Sequence, residues 1–198
     1  PDGDPGYVVW DDSAASITVA GNVYQDDTSS VANACTAGEI SLYVAGLFVA
    51  TTTCSVGDGS YSFSSVAYGA NDSLIVYISN DSEKGASVTK QPVSNISNLD
   101  IYESHVIVRH ENTNPITIAD MAVWDSSDDA DVPFTAVNAG TDTLTLPADR
   151  KLIVWDSKTF SPTGDVTVTS GGTETYGGSV ELQDNAVWTG QGTEALSI

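Results

Sequence analysis

The stretch Glu39-Ile40-Ser41-Leu42-Tyr43-Val44-Ala45-Gly46-Leu47-Phe48-Val49-Ala50-Thr51-Thr52-Thr53 decides the fold class. Ile40, Leu42 and Val44 alternate with Ser41 and Tyr43, a period of two that sends alternate side chains to opposite faces of a strand. Ala45-Gly46 then separates this run from Leu47 to Thr53. Two residues including a glycine between β-rich runs predict a tight hairpin.

The same style extends outward in both directions. Upstream, Ile17, Val19 and Val23 alternate with Thr18, Ala20 and Asn22. Downstream, the turn Gly57-Asp58-Gly59 leads into Tyr61 and Phe63, and Leu74 to Ile78 reads as another strand. Val88 to Leu99 is mixed and turn-rich. A second series opens with His105-Val106-Ile107-Val108 and continues through short β runs, among them Ile116 to Ile118, Met121 to Trp124, Leu152 to Trp155 and Val180 to Leu182. Helix signals are nearly absent, so the chain is all-β. We expect an extension or strand over 1–15, a β-sandwich over 16–102 and a second β-rich domain over 103–198. After Gly140 the spacing becomes regular. That suits a second sandwich or a short β-solenoid, and room for only about three coils favours the sandwich.

Composition narrows the function. Six Lys and Arg stand against 27 Asp and Glu, for a net charge of -21 in 198 residues. Such a surface repels nucleic acid and anionic lipid, and it suits divalent cations, a salty habitat or plain solubility. No apolar run of membrane-spanning length occurs, so direct membrane insertion is not expected. Two cysteines, Cys35 and Cys54, flank the hairpin, and an even count in a Thr-rich, Lys-poor chain predicts a disulfide and an oxidising, extracellular compartment. The chain opens at Pro1 without a signal peptide, as a mature or trimmed chain does.

Residues 16–78 resemble a known family. Ile17-Thr18-Val19-Ala20-Gly21-Asn22-Val23-Tyr24, then Gly38-Glu39-Ile40-Ser41-Leu42-Tyr43, then Asp58-Gly59-Ser60-Tyr61-Ser62-Phe63-Ser64-Ser65-Val66 is similar to the transthyretin-like or carboxypeptidase-regulatory-like β-sandwich. Collagen-adhesin B-type repeats of bacterial surface proteins share that layout. The resemblance implies an immunoglobulin-like or transthyretin-like sandwich in which Tyr61 and Phe63 fill one face. It also implies a role in stalks, spacers or binding appendages. Many of those repeats carry a first-strand Lys for an isopeptide bond. Ser16 to Tyr24 has none, and Cys35–Cys54 can staple the domain instead.

Several residues are candidates for chemistry. Asp125, Ser127, Asp129 and Asp131 place oxygens at alternate positions, a spacing that can wrap Ca²⁺, although the Gly and distal Glu of an EF-hand are missing. Ca²⁺ is the one cofactor suggested. Asn71, Asn80 and Asn95 head N-x-Ser sequons. The apolar-Trp-Asp triplets at Trp10, Trp124 and Trp155, together with Trp188, mark strand ends or platforms for sugars. Only two histidines occur, His105 and His110, five apart and facing opposite ways if both lie on one strand. There is no Gly-x-Ser-x-Gly elbow. We therefore expect no catalytic residues. The function expected is an extracellular structural subunit of a cell-surface filament, stalk or layer. Its partners are other copies of itself or neighbouring surface domains. The alternative is a carbohydrate-binding or adhesin module. Strand exchange through Tyr7-Val8-Val9-Trp10 and the terminal Leu196 and Ile198 is the expected assembly route, because unpaired strands invite foreign ones.

Overall fold

A computed structural model describes residues 16–26, 30–90, 92–171, 178–190 and 195–198. The first half contributes β1 (Ser16–Tyr24), β2 (Glu39–Val44), β3 (Leu47–Thr52), β4 (Ser60–Ala67), β5 (Ser73–Ser79), β6 (Ala86–Lys90) and β7 (Ile101–Tyr102), with a 3-10 turn at Asn33–Thr36. The second half contributes β8 (His105–Val108), helix α1 (Ile118–Met121), β9 (Thr135–Val137), β10 (Asp142–Leu146), β11 (Lys151–Val154), β12 (Thr159–Phe160), β13 (Gly164–Val168), β14 (Ser179–Leu182), β15 (Val187–Trp188) and β16 (Leu196–Ser197). The chain is all-β, as its period of two requires.

A seven-stranded sheet in the order β14-β11-β8-β6-β5-β2-β3 runs through both halves. The expected division at 102/103 falls inside it, because β6 pairs with β8 in parallel. On the β3 side the pairing is antiparallel, through the hairpin Ala45-Gly46 and the β2–β5 and β5–β6 ladders. From β6 onward every pair is parallel. Strand β5 shows why the sheet lies in the middle of the molecule. Leu74, Val76 and Ile78 enter one core while Ile75 and Tyr77 enter another, so alternate side chains serve opposite faces. Its run Ser-Leu-Ile-Val-Tyr-Ile-Ser is buried throughout, as a strand covered on both faces must be.

The first core lies between that sheet and a three-stranded sheet in the order β4-β1-β7. Tyr61 and Phe63 both enter it, as their two-residue spacing predicts, and Tyr61 donates its hydroxyl to the Leu99 carbonyl. A bulge where Ser65 turns left-handed keeps β4 in register with β1. At Gly59 φ is +76°, and an added Cβ would strike the Val23 carbonyl, so the turn before Tyr61 requires glycine.

The second half is a short parallel β-solenoid rather than a second sandwich. One face stacks β8, β11 and β14, a second stacks β10, β13 and β16, and a third stacks Ile116, β12 and β15. The coils approach closely: a Cβ on Gly164 would run into the Asp142 carbonyl of the coil before it. The run expected at Met121 to Trp124 is not a strand. Thr117 accepts from the Asp120 amide while the Asp120 carboxylate accepts from Thr117, and this capping box starts α1 at Ile118. Ile118 and Met121 point from it into the second core.

Candidate functional site

The solenoid interior is built from columns of apolar side chains, one residue per coil. Val106, Leu152 and Val180 form one column, and Val108, Val154 and Leu182 a second. Leu144, Val166 and Leu196 form a third, and Ile116, Phe160 and Trp188 a fourth. In every column the first two members are fully buried. At its start the solenoid is covered by β6 and by β9, which pairs antiparallel with β10. At its far end the cover thins: Val180 and Trp188 are half-buried, Leu182 is 49% exposed and Leu196 48%, and Ile198 beside them is 65% exposed. Val180, Leu182, Trp188, Leu196 and Ile198 line a shallow apolar hollow of about 290 Å³ there. Among the described residues no strand pairs with the outer edges of β14, β15 or β16. Leu196 and Ile198 were expected as assembly strands. Val180 and Leu182 were missed, although the recurring four-residue strands that pair as β8, β11 and β14 carry the coil repeat.

The other end of the seven-stranded sheet is also apolar. Leu47 is 72% exposed and Phe48 58% on β3, an edge strand that lies in an uncharged run from Ile40 to Gly57. Native edges are usually blunted with charge. Behind this edge Phe48 meets Tyr43 edge-on, and Tyr43 stacks on Trp124 with ring centroids 3.9 Å apart.

The acidic loop is tied to protein donors. Asp125 is buried; its Oδ1 accepts from the Ser127 amide at 2.7 Å and hydroxyl at 2.6 Å, and its Oδ2 from the Ala136 amide at 2.6 Å. Asp129 accepts from the Asp131 amide at 2.9 Å and from the Tyr77 hydroxyl at 2.8 Å. Asp131 takes the Asn80 amide at 2.7 Å and pairs with Lys84. Burial opposes the Asp131 charge, yet Lys84 and the Asn80 amide hold its carboxyl below the usual range. The loop thereby latches the solenoid onto the β5–β6 turn. Among the described residues no three His, Cys, Asp or Glu side chains are grouped to hold a metal.

The remaining candidates find structural places. Cys35 and Cys54 form a disulfide with Cα atoms 5.0 Å apart, joining the 3-10 turn to the segment after β3 inside the first core. Asn71, Asn80 and Asn95 all lie exposed outside the strands. The Asn80 side chain donates to Glu39 at 2.7 Å, and Asn95 accepts from the Thr18 amide at 2.9 Å. Trp124 and Trp188 pack against the second core, and Trp155 lies against Tyr102 with Arg109 5.8 Å from its ring centroid. All three are half-buried, and Trp188 also lines the apolar hollow at the end of the solenoid. His105 and His110 are both buried, and only His105 is in β8. His110 donates from Nδ1 to the Asn112 carbonyl and accepts at Nε2 from the Thr159 amide at 3.0 Å, a neutral tautomer that pins β12. Burial holds its pKa below the ordinary value. Tyr7, Val8, Val9 and Trp10 lie outside the described residues. No protein-family model, no curated protein and no solved structure matches the chain.

Proposed function

We propose that this chain is a non-enzymatic, extracellular structural module of a cell surface, forming the covered start of a β-solenoid shaft in a filament, stalk or layer. One observation carries the reading. A single hydrogen-bonded sheet spans from β3 to β14, with the solenoid covered at its start and open and apolar at its far end. Such a part is suited to extension and to transmitting tension along hydrogen-bonded strands. The disulfide in the first core fits an oxidising compartment. The acidic surface keeps neighbouring molecules apart except where apolar edges meet. Copies joining by strand addition at the β3 edge is the assembly route this reading carries. The transthyretin-like resemblance of residues 16–78 belongs to the same proposal.

The test uses cells that make the protein. Antibody raised against the folded chain labels intact cells, and external protease removes the label. Label that appears only after permeabilisation overturns the reading.

A further inference from the structure

We infer that the open end of the solenoid is a docking surface for one further coil of parallel β-structure, apolar at its inward positions. This rests on the structural reading and adds what the open end takes. The interface concerned already exists twice inside the molecule. Coil packs on coil through β8–β11–β14 and through β10–β13–β16, with parallel ladders on the outside and apolar columns within. The open end repeats the same surface once more.

Three properties select a coil over other occupants. First, the edges of β14, β15 and β16 belong to three faces of one solenoid, and each strand is parallel to the one beneath it. A single foreign strand satisfies one face and leaves two apolar rows wet. Second, the residues lining the hollow, exposed or half-buried, are the next members of interior columns and not a patch of unrelated origin. Val180 and Leu182 sit above Leu152 and Val154, Trp188 above Phe160, and Leu196 above Val166. Third, the register fixes where a coil begins. Val166 pairs with Leu196 and Thr167 with Ser197, so one residue further Ile198 stands over Val168, which pairs with Leu146. In the chain itself Leu146 is followed by Pro147 to Phe160, the segment that supplies β11 and β12. A coil entered at the position of Ile198 thus meets the β14 edge and then the β15 edge, in the order the lower coil does.

The experiment appends a second copy of residues 147–160 directly after Ile198 in the full chain. A control extension carries Asp in place of the residues copied from Leu152, Val154 and Phe160. The apolar extension is expected to raise Tm by about 4 °C or more and to slow amide exchange in β14 about tenfold or more, while the Asp control does neither. Extensions that both leave Tm and β14 exchange unchanged overturn the inference. So does a stable dimer of the unextended chain that Leu196→Asp dissociates, because the occupant is then a second copy. Either failure is separate from the surface-labelling result, which reads the structural role itself.

Discussion

At the scale of single residues, Arg109 is one of the links between the two halves. It is buried, and its guanidinium holds Glu111 through Nε at 2.7 Å and Nη2 at 3.0 Å. Nη1 donates to the Asn98 carbonyl at 2.7 Å, tying the turn-rich 92–100 segment to the end of β8. Removing one partner of a buried, hydrogen-bonded pair strands the other. Arg109→Ala should therefore cost about 3 kcal/mol, read from the urea midpoint. Arg109→Lys should recover less than half, since an ammonium cannot hold Glu111 with two nitrogens and Asn98 with a third. A loss under about 0.5 kcal/mol in the alanine variant would show that the contact is idle. His110 gives a pH signature. Its folded pKa lies below the unfolded value of about 6.5. Both states are neutral well above that value. Below it the unfolded chain takes up a proton that the folded chain resists, so stability is present at neutral pH and falls as the pH drops. Urea midpoints at pH 7.5 and 5.5 should differ more in the parent chain than in His110→Gln; equal differences would exclude this residue as a source of acid sensitivity.

Among elements, the hairpin of β2 and β3, the Tyr61/Phe63 pair and the disulfide were legible in the sequence, because each rests on local spacing. Two features were not. The helix at Ile118 looked like strand because its four residues are too few for a helical period, and only the Thr117–Asp120 box marks it. The parallel stacking was hidden because coil partners are far apart in the chain, as with Val106 and Leu152. The runs His105 to Val108 and Lys151 to Val154, buried at every position, do carry the sign of a parallel sheet covered on both faces. The spacing of Asp125 to Asp131 marked a loop dense in carboxylate oxygens, but spacing does not show whether those oxygens meet a cation or the protein's own amides. The disulfide has a testable weight. It closes a loop of sequence separation 19, and replacing both cysteines by alanine should lower stability by about 3 kcal/mol, or about 6–12 °C in Tm for a domain of this size. Unchanged melting would mean that the first core alone defines the sandwich.

At the scale of the whole molecule, both halves are one body, hydrogen-bonded through β6 and β8 and graded from a covered centre to two more exposed ends. Opening free energy follows burial and pairing. Strands β5, β6, β8 and β11 lie between paired neighbours and are buried along their whole length. Strands β3 and β14 are edges, β3 largely exposed and β14 half-buried except for Leu182. Amide hydrogen exchange on the intact, disulfide-bonded chain reads this most directly. Exchange is expected to be slowest in β5, β6, β8 and β11 together, with protection falling toward β3 on one side and toward β14, β15 and β16 on the other. A break in protection between β6 and β8, with the two halves exchanging as independent units, would contradict the single body.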